Sequence, residues 1–190
     1  FYNTDSYSEP PIDSWWDYTR PEWKGKIMCG NPLVSLEMMG LFNAMTLHAD
    51  EMAAAYKREF GEDIVLDGTE NAGYEWIKRF LANDIIFGNS DGDVAASVGA
   101  AGQKDAPLGI ITSSKVRENK KGLKLAMIYN LDPIFSVANP AVLAIIKNNP
   151  HPAGAKLLIR YMAGGTDGTD AGYTPFDVEG SWPTRSDMVG

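Results

Sequence analysis

The apolar positions change period along the chain, and each change marks an element. Leu36, Met39, Phe42, Met45 and Leu47, then Met52, Ala55, Tyr56 and Phe60, recur every three or four residues, the spacing of one helix face. One long helix or two consecutive helices are expected there. Ser35 would be the N-cap, and the pattern ends near Gly61. Residues 69–83 repeat the period, with Tyr74, Ile77, Phe80 and Leu81 on one face and Glu75 with Arg79 as an i,i+4 pair on the other. A last helix starts at Pro152, faces Leu157, Leu158, Tyr161 and Met162 inward, and ends at Gly164 and Gly165. Short apolar runs predict strands at 26–29, 85–87, 107–112, 123–129, 134–138 and 142–147, the last two parted by Asn139-Pro140. Asp13 or Ser14 can cap a one-turn helix carrying Trp15, Trp16 and Tyr18. Those tryptophans, with Trp23, read as core filling rather than a stacking platform, and so does the methionine run. Residues 1–14, with Pro10 and Pro11 together, read as an extended arm.

Helices and strands alternate through most of the chain. That order predicts an α/β fold with a partly parallel sheet, in which ligands sit beyond the carboxyl ends of the strands.

Two of those strand ends carry candidate chemistry. The first is Gly88, Asn89, Ser90, Asp91 and Gly92, between a strand and a helix capped by Asp91 or Asp93. The second is Thr112, Ser113 and Ser114. A strand that feeds a helix points free N–H groups and the positive end of a dipole above the sheet, which suits a small anionic or polyhydroxylated ligand. The first stretch also matches G-x-S-x-G, the nucleophile elbow of α/β-hydrolases, and Asp132 and His151 follow in the order of a triad. A serine hydrolase using Ser90 is therefore an alternative. Against it, no oxyanion-hole glycine run precedes the motif, and Asp91 and Asp93 put negative charge where donors are needed.

Composition narrows the classes. The 190 residues are 44% hydrophobic and 22% charged, a globular balance. The net charge of −8 leaves no basic stripe for a nucleic-acid backbone. One cysteine, Cys29, permits no disulfide within the chain. The two histidines, His48 and His151, share no ligand spacing. Asn89, Asp91 and Asp93 alternate like a calcium loop, but Gly92 is misplaced and no glutamate closes it. Asp167 and Asp170 read as solvated. No metal or cofactor is expected, and there is no P-loop or dinucleotide fingerprint. The chain starts at Phe1, so a processed or trimmed product is expected.

The order of segments adds a resemblance. PIDSWWDYTRPEWKGKI is followed by Asn-Pro, Ser35, an amphipathic helix pair, GYEWIKRFLAND and a serine-containing turn before a helix. Later come VANPAVLAIIKNNPHPAGAKLLIRYM and GSWPTRSDM. This order resembles the solute-binding proteins of bacterial ABC importers of the ferric-iron, spermidine and phosphonate type. The resemblance implies the two-lobed, type II periplasmic-binding-protein-like fold. It divides the chain into a crossover or hinge arm (1–14), lobe two (15–130), and a return crossover with the C-terminal part of lobe one (131–190). The N-terminal part of lobe one is expected to be absent, since family members are longer. The implied role is non-catalytic: capture of a small solute and delivery to an ABC permease in the membrane, in the periplasm or as a cell-surface lipoprotein. Self-association of the truncated chain is a further expectation. Ser35, Asn89, Ser90, Asp91, Ser113 and Ser114 would face the solute. Ferric-binding members use adjacent tyrosines where this chain has Gly109 to Ser114. Without that tyrosine pair, a sugar phosphate or similar organophosphate is the leading ligand, and a ferric-iron-binding protein of the same family is the alternative.

Overall fold

A computed structural model describes residues 1–138, 142–164 and 171–182. The chain divides into two compact units, Phe1–Ala138 and Asn139–Gly190.

The first unit is built on a small parallel sheet. Its strands are β2 (Ile27–Gly30), β3 (Ile86–Gly88) and β4 (Leu108–Ile110), counted after a short β1 (Tyr2–Asn3). The order is β3-β2-β4, and both neighbours run parallel to β2. Cys29 pairs with Phe87 on one side and Ile110 on the other. Parallel neighbours need crossovers, and helices supply them. Between β2 and β3 come α1 (Leu36–Leu47), α2 (Ala49–Phe60) and α3 (Ala72–Leu81). α4 (Asp91–Gly99) links β3 to β4. A 3-10 helix, Ser113–Lys121, follows β4, and β5 (Leu125–Ala126) pairs antiparallel with β1. The fold is α/β.

Aromatic packing forms the main core. Trp16, Trp76, Tyr18 and Phe80 are fully buried, and Trp76 stacks on Phe80 at 4.8 Å. Each buried indole N–H has a carbonyl acceptor: Trp16 donates to Met52, Trp76 to Trp15, and Trp15 to Ile134. Ser14 caps the one-turn helix Trp15–Thr19 with Asp17 completing the box. The tryptophans and the methionines Met38, Met45 and Met52 are core residues.

Four expectations are corrected. Residues 1–14 are not a free arm: Tyr2 and Asn3 pair with β5, and the buried Asn3 amide donates to the carbonyls of Val98 and Ala100, closing the end of α4. The buried face of α3 is Ala72, Gly73, Glu75, Trp76 and Phe80, while Tyr74 and Leu81 are exposed. The Glu75–Arg79 pair thus lies on the core side, where the Thr69 hydroxyl and the Asp67 N–H also reach the carboxylate. Residues 123–129 give only the two-residue β5, and 134–138 give no strand. There the Trp15 indole takes the Ile134 carbonyl that a sheet partner would have used.

The second unit contains α5 (Pro152–Met162). Residues 142–147 form no strand, since no neighbouring strand among the described residues offers them a ladder. The expected inward face of α5 is open, with Leu157 69% exposed and Leu158 and Tyr161 also exposed. Helical period identified the helix, but burial depends on what packs against it. The Asn139-Pro140 break, Gly165, Asp167, Asp170 and the closing residues from Pro183 lie outside the described residues.

Candidate functional site

At the carboxyl ends of β2, β3 and β4 lies an open cleft of about 370 Å³. Its lining runs over three loops, Gly30 to Glu37, Gly88 to Asp91, and Thr112 to Lys115. Each loop feeds a helix: Ser35 caps α1, Ser90 caps α4, and Thr112 precedes Ser113–Lys121. Three helix starts therefore face one cleft, where unpaired N–H groups and dipole ends favour negative charge or hydroxyl oxygen.

The floor is backbone. A Cβ on Gly88, where β3 ends, would lie 2.5 Å from Val94 Cγ2, and one on Gly30, where β2 ends, would lie 3.3 Å from the Ser35 side chain. Both strand ends can pass this close under their helices because no side chain stands there.

The caps use most of the hydroxyls and carboxylates. Ser35 Oγ accepts the Met38 N–H at 3.2 Å and donates to Glu37 Oε2 at 3.0 Å. Ser90 Oγ accepts the Asp93 N–H at 3.1 Å and donates to Asp93 Oδ2 at 3.0 Å. The helix cap is Ser90, so neither aspartate is the cap. Asp91 Oδ2 accepts the Thr112 N–H and hydroxyl, tying α4 to the end of β4. Beneath them, burial pushes the Cys29 thiol up to about 12, with Asp91 adding to the shift.

Of the six residues singled out in the sequence, Ser35, Asn89, Ser90, Asp91 and Ser114 line the cleft, and Ser113 does not. Gly30, Asn31, Val34, Glu37, Gly88, Thr112 and Lys115 line it too. The Asn31-Pro32 loop has the same strand-to-helix pattern as the other two, and Lys115 opens a run of charged residues whose composition alone does not mark a cleft. The Ser90 hydroxyl has Asp93 as partner rather than a histidine, and the His48 ring lies beside Glu51 at 3.3 Å. A nucleophilic serine needs a base to take its proton.

A second cluster brings carboxylate oxygens of Asp13, Asp17 and Glu59 together. Arg20 already bonds both Asp17 and Glu59, and Asp17 also accepts the N–H groups of Asp13 and Ser14. The Asp17 and Glu59 carboxylates are thus spent on the turn and on the guanidinium.

A family model for bacterial extracellular solute-binding proteins matches residues 3–167. No curated protein and no solved structure matches the chain. The family match runs through the parallel sheet, its three helix starts and α5, and the chain belongs to the bacterial extracellular solute-binding proteins.

Proposed function

We propose that the protein is the substrate-binding component of an ABC importer. It captures a small anionic solute, a sugar phosphate or similar organophosphate, and delivers it to a membrane permease. Residues 15–130 act as lobe two, the segment from 131 as the return crossover and the C-terminal part of lobe one, and hinge closure holds the solute. The protein works outside the cytoplasm, in the periplasm or at the cell surface.

The observation that carries this reading is the convergence of three helix starts on one polar cleft at the ends of three parallel strands. Such a cleft offers the positive ends of the helix dipoles and the backbone N–H groups of the first turns, which phosphate and sugar oxygens can use. Among the described residues no phenol lines the cleft, and of its two carboxylates Asp91 already holds Thr112, so the phosphate reading is favoured over the iron one.

A thermal-shift panel tests it, with inorganic phosphate, glucose 6-phosphate, glucose, spermidine and ferric citrate. A ligand that binds the folded state raises Tm by mass action. A rise with glucose 6-phosphate and none with glucose or spermidine is expected. A rise with ferric citrate alone would overturn the proposal.

A further inference from the structure

We infer that Lys115 is the residue by which the cleft distinguishes a phosphorylated solute from its uncharged counterpart. The inference rests on the anionic-solute reading above. Among the described residues, Lys115 brings the one positively charged side chain to the lining, which also holds the carboxylates of Glu37 and Asp91. With Lys115 removed, the lining side chains would carry negative charge only, and a phosphate would meet repulsion on entry. Helix starts and hydroxyls serve neutral sugar oxygens as well as anions. They do not separate the two classes, whereas an ammonium does.

The neighbours of Lys115 are committed elsewhere. Ser35, Ser90 and Asp91 are held in caps and ties, and the Asn31 side chain accepts the Leu33 N–H. Within its own helix, Glu118 is engaged by Lys121 at 2.7 Å and by Arg117 at 3.8 Å, and Lys115 adds a Coulombic attraction to it. The side chain is half-buried at the rim.

The surrounding charge has the same sense. Lys115, Arg117, Lys120, Lys121 and Lys124 fall in one short stretch with Glu118 as its single acid, on a chain whose net charge is −8. A basic ridge leading to a cleft raises the encounter rate of anions there, and salt weakens that effect. Lys115 ends the ridge inside the lining, so it alone would act on the bound state.

Titration calorimetry with glucose 6-phosphate, inorganic phosphate and glucose tests the inference on the whole protein and on Lys115→Gln, Lys115→Arg and Lys121→Gln. The wild type is expected to bind the phosphates more tightly above the second phosphate pKa of about 6 than below it. Lys115→Gln should weaken phosphate binding by roughly tenfold or more, as for loss of one charge-assisted hydrogen bond, and should flatten that pH dependence. Lys115→Arg should keep both, and Lys121→Gln should leave selectivity over glucose intact. Unchanged phosphate affinity in a Lys115→Gln protein of wild-type Tm would overturn the role of Lys115 and leave the anionic-solute reading standing. A wild type that binds glucose as well as glucose 6-phosphate, or neither phosphate, would overturn both.

Discussion

Asp91 Oδ2 accepts two hydrogen bonds from Thr112, the N–H at 3.0 Å and the hydroxyl at 2.7 Å. This carboxylate joins the first turn of α4 to the end of β4 and so fixes the distance between two of the three loops around the cleft. The Oδ2 atom of this cleft-lining residue thus holds the cleft wall. Asp91→Ala should therefore destabilise the protein by about 1–2 kcal/mol, the cost of leaving partly buried donors unpaired. Thr112→Val should cost less, because its N–H remains. In a double-mutant cycle followed by urea unfolding, the two changes should be non-additive. Strict additivity would mean that the residues do not act as a pair.

Glu75 gives a dependence of stability on pH. Its side chain is 2% exposed. Burial alone would raise its pKa, but the hydrogen bonds from Thr69, Arg79 and the Asp67 N–H outweigh it and hold the carboxyl at about 2. A depressed carboxyl contributes stability above its unfolded pKa, near the ordinary 4.5, and loses it as pH falls toward 2. The contribution at neutral pH is of order 3 kcal/mol. Glu75→Gln should lower stability near pH 7 and flatten the acid limb between those two values in urea titrations. An acid limb of unchanged slope would exclude Glu75 as its source.

Close packing of α1 on α3 can be tested at Gly73. A Cβ there would lie 2.1 Å from the Met45 carbonyl oxygen, and backbone cannot yield as a side-chain tip can. Gly73→Ala should cost ~3 kcal/mol in denaturant unfolding. Gly40, inside α1, has open space where its Cβ would stand. Gly40→Ala should therefore stabilise by about 0.5–1 kcal/mol through helix propensity. Equal effects at the two positions would contradict this packing.

Cys29 should be inert in the folded protein. It is fully buried on β2, and its thiol is pushed up to about 12, so thiolate at neutral pH is scarce. Labelling by a thiol-specific disulfide reagent should follow the rate of unfolding and be complete in denaturant. Rapid labelling of the native protein would place Cys29 nearer the surface.

Local signals in the sequence were sufficient for much of the first unit. Period and caps located α1, α2 and α3, since Ser35, Gly61 and the apolar repeats act within a few residues. The strand-turn-helix pattern at Gly88 to Asp91 likewise marked one wall of the cleft. Less local features did not show. The inward position of Glu75 depends on Thr69 and Asp67 folding back over α3, and the seat of Tyr2 and Asn3 depends on β5, far along the chain. Lys115 looked like surface charge because its neighbours are charged; only the parallel register that brings β4 beside β2 turns it toward the other two loops. The face of α5 shows the converse, a helix found by its period whose Leu157 and Leu158 stand exposed.

The central place of β2 also bears on how the protein comes into being. Its two neighbours arrive in the sequence only after three helices, and then after a fourth. Pairings this distant are slow to form, because a long loop must close before any contact rewards it. While the chain is being made, the helical half can condense around its tryptophans, but the third wall of the cleft waits until residue 112 and beyond has emerged. Solute binding is thus a late-arriving property, and a ligand that needs all three walls would report completed folding rather than any intermediate.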